Sequence, residues 1–288
     1  MLGTSLEIII VGILICACCS IPGTFLVLRG MSMMTDAISH TILLGIAIGF
    51  FISNDLNSPI LMICAVIVGL FTVWFTEVLH HTKLVSKDAA IGIVFPLFFS
   101  VAVILITKFA KNVHLDVEHV VFGEIAFVPF DRFQTLNYDF GPKALIITLI
   151  MLLINSLIIF LFYKELKLST FDHDYAQVIG FSPKAMNYLL MTLVSLTSVC
   201  TFQSVGVVMV IAFMVGPALT ARLYTDRLNA MLFLSILIGS LASVVGYTLA
   251  INIDVSISGM QAFIMGVIFI LSLLLSPKRG ILIKKIRA

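Results

Sequence analysis

Residues 6–28, LEIIIVGILICACCSIPGTFLVL, form an apolar run in which Glu7 is the only charged side chain. A helix that crosses the hydrocarbon core of a bilayer needs about 20 mainly apolar residues, because no water is present there to satisfy backbone polar groups. This run is long enough to cross. It predicts a membrane-spanning helix, and similar runs recur along the rest of the chain.

Nine such runs lie near residues 6–28, 36–53, 59–80, 89–109, 143–163, 184–200, 204–223, 228–250 and 259–276. The break around Thr201 and Gln203 is the least distinct, so a count of eight to ten also fits. Hydrophobic residues make up 60% of the chain and charged residues 11%, against roughly 45–50% and about 25% in soluble proteins. The sequence predicts an all-α integral membrane protein, a polytopic bundle of about nine transmembrane helices in a single domain over residues 1–288.

Positive charge is distributed unevenly over the connecting loops. If the N-terminus is outside, the inner side holds 13 of the 17 Lys and Arg residues, and the outer side holds only Lys108, Lys111, Arg132 and Lys143. Cytoplasmic loops of membrane proteins carry such an excess of Lys and Arg. The pattern predicts a multi-pass protein with its N-terminus outside and its C-terminus inside. The net charge of +2 gives no indication of nucleic-acid binding.

The outer connection, residues 112–142, is longer than a simple turn. Its acidic residues and its apolar stretch at 120–122 indicate a short helix lying against the outer face, which would be a natural docking surface for an external protein. It also contains a small cluster of possible metal ligands, namely His114, Asp116, Glu118 and His119. The irregular spacing of this cluster is more typical of a solvated loop than of a metal site.

The inner connection, residues 164–183, is interpreted as a cytoplasmic segment that contains a short amphipathic helix. Thr170 or Asp172 is suited to cap its N-terminus, because a short polar side chain there accepts a backbone N–H. Gly180 stands where such a helix would end, and Pro183 where the next one would begin. Such a helix would lie parallel to the membrane surface.

Asp36 and His40 are the most informative polar pair within the apolar runs. They are four residues apart, which places them on the same face of the second helix. Oxygen and nitrogen ligands without thiolate suit Mn²⁺, Fe²⁺ or Zn²⁺ better than Cu⁺, whereas Ca²⁺ or Mg²⁺ would favour oxygen alone. Two ligands are too few to hold a metal firmly. A two-fold dimer of such chains would supply two Asp and two His around the shared axis.

The same pair also fits a purely structural interpretation. Asp36, next to Thr35, has the residue type of a helix N-cap, and His40 would then bond a backbone carbonyl inside the bundle. Spacing alone slightly favours this interpretation. Structural roles are also favoured for His80 and His81, which close the third run on the inner side, and for the five cysteines, which all lie inside apolar runs.

The segment FLVLRGMSMMTDAISH, residues 25–40, resembles the signature FxxLRxMSLxGDAxSHxxLPG of bacterial ABC-importer permeases for manganese, zinc or iron. Further matches follow in order: KDAAIGI (87–93), VFGEI (121–125), FDHDYA (171–176) leading to Gly180, QSVG (203–206) and PALTA (217–221). The resemblance spans most of the chain. Thr35 and Leu44 depart from it, because they replace the Gly before the aspartate and the Pro before Gly45. Loss of that proline removes a kink near the pair.

The resemblance implies an ABC-importer type of permease fold in a bacterial cytoplasmic (inner) membrane, and it implies that Asp36 and His40 are metal ligands. It also implies a coupling helix that a cytoplasmic ATPase subunit grips, formed by Phe171, Asp172, His173, Asp174, Tyr175, Ala176 and Gly180. Further expected partners are an extracellular or periplasmic metal-binding protein, a second or homologous permease, and membrane lipid. No permanently bound cofactor is implied, since Mn²⁺, Zn²⁺ or Fe²⁺ is the cargo.

Three alternative functions differ in what they require of the sequence. A proton- or sodium-coupled secondary transporter would use Asp36 for protonation and need no ATPase. A siderophore or cobalamin permease would share the architecture but have a wide cavity without an Asp–His pair. A membrane metalloprotease would need an H-E-x-x-H motif, which is absent. The chain also lacks the G-x-x-x-x-G-K-[ST] loop, so we expect no enzymatic activity in it and ATP hydrolysis in a separate subunit.

Overall fold

The computed structural model describes residues 2–55, 58–109, 124–135, 138–277 and 280. The first part consists of α1 (Leu2–Leu28), α2 (Met33–Ser53), α3 (Pro59–His81) and α4 (Lys87–Phe109), then a 3-10 helix (Ile125–Phe130) and the antiparallel strands β1 (Arg132–Thr135) and β2 (Tyr138–Pro142). The second part consists of α5 (Lys143–Leu161), α6 (Tyr163–Phe171), α7 (His173–Val178), α8 (Pro183–Val205), α9 (Val207–Tyr224), α10 (Leu228–Ile253) and α11 (Ile257–Leu275).

Nine helices in the described part of the chain are long and apolar enough to cross a membrane. This confirms the predicted polytopic bundle, and the predicted ends agree with the observed ones to within about one and a half helical turns. The agreement follows from a local property, because every long helix needs its own uninterrupted apolar run to satisfy its backbone within lipid. The protein is a multi-pass membrane protein.

Three local features differ from the sequence prediction. The uncertain break lies at Gly206, whose φ of 79° suits glycine, and not at Thr201 or Gln203. The inner connection holds α6 in addition to the expected short helix. The outer connection forms a 3-10 helix and a β-hairpin, so a small sheet accompanies the otherwise helical fold.

Consecutive long helices run in alternate directions, so the connecting segments collect at two faces of the bundle. We call one the short-helix face, because it carries α6 and α7, and the other the hairpin face. At the end of α1, Arg29 reaches Ser169 of α6 with a distance of 2.7 Å between Nη2 and Oγ. At the start of α1, Glu7 pairs with Arg132 of β1 at 3.1 Å. Helix α1 therefore connects the two faces through the centre of the bundle.

The core forms around α1, which packs against α5, α8, α9 and α10. The thiols of Cys16, Cys18 and Cys19 are fully buried there, as their interpretation as core side chains requires. Asn155 of α5 ties this region together, because its amide donates to the Cys18 carbonyl at 3.2 Å and to Thr197 Oγ1 of α8 at 2.8 Å. Such interhelical hydrogen bonds help to specify packing where lipid supplies no competing partner.

Helices α2 and α3 pack as an unusually close pair. Gly45 faces the backbone of Ala65, so a Cβ on that glycine would lie far inside contact distance. Small residues allow membrane helices to approach in this way. Thr72 donates to Thr41 at 2.9 Å across the same interface. The position of α2, which carries the candidate ligands, is therefore set by α3.

Large apolar side chains cover the outside of the bundle. Their exposed fractions are 58% for Ile67, 81% for Phe160 and 69% for Phe233. Water would disfavour so extensive an apolar surface, whereas the hydrocarbon of a bilayer would not. We expect these surfaces to contact membrane lipid.

Candidate metal site and coupling segment

The start of α2 positions the candidate metal ligands. Ser32 occupies the N-cap position and makes no side-chain capping bond, and Asp36 lies inside the first turn. The interpretation of Asp36 as the N-cap is therefore wrong. The carboxylate of Asp36 instead lies 3.4 Å from the imidazole of His40.

Asp36 and His40 lie side by side on α2, with 3.4 Å between Oδ1 and Nε2. Their side chains are 44% and 31% exposed, respectively. Most other positions of the helix, from Met34 to Phe50, are buried. The pair therefore occupies the one open strip in the first two turns of this helix. A carboxylate and an imidazole in this arrangement can both reach a cation that approaches from outside the protomer.

Two aromatic rings of α4 flank the imidazole. The ring centroids of Phe95 and Phe99 lie 5.5 and 5.8 Å from that of His40, the first tilted and the second edge-on. These are ordinary distances for favourable aromatic contacts. They restrict the orientation of the ring. Sequence reasoning missed both residues, because no local signal indicates which face of α4 packs beside α2.

The described residues contain no cluster of three or more His, Cys, Asp or Glu side chains in metal-binding geometry. Asp36 and His40 are therefore two candidate ligands within one protomer. Firm binding of a transition metal needs about four. The missing ligands would have to come from water, from a partner protein, or from a second protomer facing the open strip.

The two departures from the family signature have visible consequences. Thr35 is fully buried and its hydroxyl donates to Met214 Sδ at 3.5 Å, which links α2 to α9. Leu44 packs in a small apolar cluster that includes Val68 of α3 and Phe98 of α4. With leucine there in place of proline, α2 continues without interruption from Met33 to Ser53.

The short helix α7 of the inner connection begins and ends as its sequence predicts. Asp172 caps α7, because its Oδ1 accepts the Tyr175 N–H at 2.9 Å. Gly180 follows the helix with a φ of 94°, and Pro183 opens α8. Thr170, the other predicted cap, instead donates to the Leu166 carbonyl within α6.

Helix α7 presents most of its surface to the outside. Ala176 is buried against the bundle, whereas Phe171, Asp172, His173, Asp174 and Tyr175 are all exposed. The exposed fractions of Phe171 and Tyr175 are 57% and 53%. Aromatic side chains exposed at this density mark a contact surface more often than a solvated loop.

A cavity of about 340 Å³ opens on the short-helix face, beneath α6 and α7. Its lining includes Glu77, His80, His81, Lys87 and His173. His80 and His81 lie in the last turn of α3, as expected for residues that complement the helix C-terminus. They do not join Asp36 and His40 in one site.

Glu124 caps the start of α11, a structural role that sequence reasoning missed. Its Oε1 accepts the N–H groups of Ile257 and Ser258 at 2.8 and 3.1 Å, and its Oε2 accepts the Ser256 hydroxyl at 2.5 Å. A carboxylate at a helix N-terminus interacts favourably with the helix dipole. The hairpin face is thereby fastened to α11. The predicted cluster of His114, Asp116, Glu118 and His119 lies outside the described residues.

Comparison with known proteins agrees with this architecture over the whole chain. The manganese transport system membrane protein MntD of Bacillus subtilis (strain 168) is 44% identical over 280 residues, which cover 97% of this chain and 95% of MntD. The zinc transport system membrane protein TroD of Treponema pallidum (strain Nichols) is 44% identical over 277 residues, which cover 96% of this chain and 75% of TroD.

Structural comparison gives the same result. The structure of PsaBC from Streptococcus pneumoniae in complex with Fab superimposes with a TM-score of 0.79 and 30% sequence identity. The match covers 98% of this chain and 95% of that one. The sequence profile of the ABC 3 transport family matches residues 2–276. Because this match extends over almost every residue of the nine-helix bundle, the chain belongs to the ABC 3 transport family.

Proposed function

We propose that this chain is the permease subunit of an ATP-driven importer that moves a divalent transition metal, Mn²⁺, Zn²⁺ or Fe²⁺, into the bacterial cytoplasm. The observation that carries the proposal is the Asp36–His40 pair, which lies on the open strip in the first two turns of α2, where most positions from Met34 to Phe50 are buried. Ionisable side chains at membrane depth are costly, so they generally serve a function. Its relatives MntD and TroD also support the proposal, because they are membrane proteins of a manganese and a zinc transport system, respectively.

The incomplete ligand set supports a dimeric site. One protomer offers a carboxylate and an imidazole, and both face outward from α2. Two protomers, or this chain with a homologous permease, would bring two Asp and two His together around an approximate two-fold axis. Four such ligands suit Mn²⁺, Fe²⁺ and Zn²⁺. The metal is the transported substrate in this proposal and not a resident cofactor.

The distribution of positive charge supports a short-helix face that points into the cytoplasm. Eight described basic residues lie on that face or at its helix ends, namely Arg29, Lys83, Lys87, Lys164, Lys167, Lys184, Arg222 and Arg227. The hairpin face has Lys108, Arg132 and Lys143. By the positive-inside rule, the N-terminus is then on the outer side of the cytoplasmic membrane and the C-terminus is on the cytoplasmic side.

The two faces would bind different partners. In this orientation, α6 and α7 meet a cytoplasmic ATP-binding subunit, and Phe171 to Gly180 form the coupling segment. The exposed aromatic side chains of this segment are suited to insertion into a groove of the partner. The hairpin face would receive metal from an extracellular or periplasmic binding protein. The chain itself contributes the path and no catalytic step.

Metal uptake by bacterial cells that lack their own importer tests the proposal. The cells receive this chain together with its ATPase and binding protein, and the accumulated manganese, zinc and iron are measured by mass spectrometry. Asp36→Ala and His40→Ala should each abolish accumulation of one of these metals, while the chain remains in the membrane with its ATPase bound. The metal whose accumulation is lost identifies the cargo.

Asp254→Ala is the matched control, because Asp254 is an ionisable residue at the end of α10 on the hairpin face and does not contact the pair. This variant should import metal normally. If Asp36→Ala and His40→Ala also import normally, the ligand assignment is wrong. If uptake persists without the ATPase and follows a proton or sodium gradient, the chain is a secondary transporter instead.

A further inference from the structure

Arg29 holds three parts of the short-helix face together. It follows α1 directly and donates three side-chain hydrogen bonds: Nε to Thr170 Oγ1 at 3.0 Å, Nη2 to Ser169 Oγ at 2.7 Å and Nη1 to Asn187 Oδ1 at 3.3 Å. The first two acceptors end α6, and the third lies in the first turns of α8. The planar guanidinium uses all three of its nitrogens in this junction.

The acceptors are themselves oriented for this arginine. The hydroxyls of Ser169 and Thr170 both donate to the Leu166 carbonyl, at 3.2 and 2.6 Å, which turns their lone pairs toward the guanidinium. Asn187 extends the junction to α3, because its Nδ2 donates to Glu77 Oε1 at 2.5 Å. The network therefore reaches from α6, through the α1–α2 turn, to α3 and α8.

The charge of Arg29 has no direct counter-ion in this network. Of the carboxylates that the structure describes, none lies within salt-bridge distance of it. Burial lowers the pKa of Arg29 to about 10, so the side chain stays charged at neutral pH. A cation held only by neutral acceptors can be released at lower cost than one in a buried ion pair. These contacts suit a junction that breaks and re-forms.

Arg29 also stands at the entrance to the metal-binding helix. The turn from α1 to α2 is tight, with Gly30 at a φ of 67° and the Met31 N–H donating to the Leu26 carbonyl at 2.9 Å. Asp36 follows Arg29 after about two helical turns of chain. A displacement of the guanidinium would therefore move the α1–α2 turn, which leads directly into the first turn of α2, where Asp36 lies.

The path of contacts from α7 to Arg29 is short, because Arg29 bonds Ser169 and Thr170 at the end of α6. Asp172 separates α6 from α7 in an extended conformation, so movement of α7 is passed to the last turn of α6. The cavity of about 340 Å³ borders Arg29, Ser169, Thr170 and Asn187. Close-packed interiors resist displacement, whereas a cavity leaves room for these side chains to exchange partners.

We propose that Arg29 is the positioning residue that transmits movement of the coupling segment to α2, and so changes the placement of Asp36 and His40 between binding and release of the metal. This inference rests on the proposed function. Arg29 does not touch the metal; it acts through the α1–α2 turn. Coupling of ATP hydrolysis to transport requires such a connection between the two sites.

The test is the number of ATP molecules hydrolysed per metal ion transported, measured in the full complex reconstituted in lipid vesicles. Arg29→Gln keeps a polar side chain but removes the charge and the three-donor guanidinium group. It should lower transport by roughly tenfold while ATP hydrolysis stays within about twofold of wild type. Arg29→Lys keeps the charge but lacks the planar guanidinium that reaches three acceptors, so it should restore transport only in part.

Two further variants separate positioning from general stability. Arg222→Gln is the matched control, because Arg222 is an exposed arginine in the last turn of α9 on the same face, and it should keep the wild-type ratio. Ser169→Ala combined with Thr170→Val leaves Arg29 in place and removes two of its acceptors. This variant should uncouple transport in the same direction, and it decides the question if Arg29→Gln fails to assemble.

The possible failures are distinguishable. If Arg29→Gln and the Ser169→Ala/Thr170→Val variant both transport metal at the wild-type ratio, Arg29 is not the connection, while the proposed function stands. If they lower ATP hydrolysis and transport equally, the junction is structural and the inference is also wrong. A wild-type complex that moves no metal overturns the proposed function and this inference with it.

Discussion

Asp36 Oδ1 and His40 Nε2 lie 3.4 Å apart across one turn of α2. A well-formed N–H···O hydrogen bond measures about 2.7–3.2 Å, so this contact satisfies neither group strongly. Both groups therefore keep lone pairs that a cation can use.

The rings around the imidazole should contribute to metal affinity. Phe95→Leu removes one aromatic contact with His40 and leaves its ring freer to rotate. We expect affinity for the metal to fall by up to about tenfold, since such contacts contribute about 0.5–1.5 kcal/mol. Metal titration of the purified permease complex measures this. Phe160→Leu, on the lipid side of α5, is the control and should bind as wild type. Equal affinities for the two variants would contradict the role of the ring.

The close approach of α2 and α3 should be sensitive to one methyl group. Gly45→Ala places a Cβ against the Ala65 backbone, which has no flexible end to move aside. Overpacking of this kind costs about 1–3 kcal/mol, so thermal unfolding in detergent should begin at lower temperature. Gly266→Ala adds the same methyl group to α11, where the Cβ would meet open space. That variant should be neutral or slightly stabilising, and a similar loss in both would rule out the packing explanation.

The carboxylate at the start of α11 should hold the hairpin face in place. Glu124→Ala removes the acceptor of the Ile257 and Ser258 amides, which then lose a capping interaction of about 1 kcal/mol. Hydrogen exchange at these two amides should become faster. Asp131→Ala removes an exposed carboxylate that pairs with Lys143 instead, and should leave the exchange unchanged. Unaltered exchange in Glu124→Ala would show that the cap does not stabilise this helix end.

The cap of α7 gives a prediction that separates shape from charge. Asp172→Ala removes the side chain that accepts the Tyr175 N–H, at a cost of about 1 kcal/mol for a helix of six residues. Co-purification with the ATPase subunit should then decrease. Asp172→Asn keeps a capping oxygen without the charge and should restore binding. If asparagine is as harmful as alanine, the ATPase recognises the charge, and if neither matters, α7 is not the contact.

The long helices could be predicted because their signals are local. Each helix needs its own apolar run, and the residues that begin α7, end it and begin α8, namely Asp172, Gly180 and Pro183, act on the backbone within a few positions. The spacing of Asp36 and His40 likewise places them on one helical face without reference to any other element. Family resemblance supplied the hypothesis that they bind metal, which spacing alone left open.

Contacts between distant segments were decided only by the tertiary structure. The sequence does not indicate that Phe95 flanks His40, that Glu124 caps α11 or that Arg29 reaches Ser169 and Thr170. Hydrophobicity cannot select such partners in a membrane, because lipid is as apolar as the neighbouring helix. Selection falls to close backbone approach, as between Gly45 and Ala65, and to a few polar bonds. Sequence alone therefore determined which segments cross the membrane, and packing determined which side chains meet.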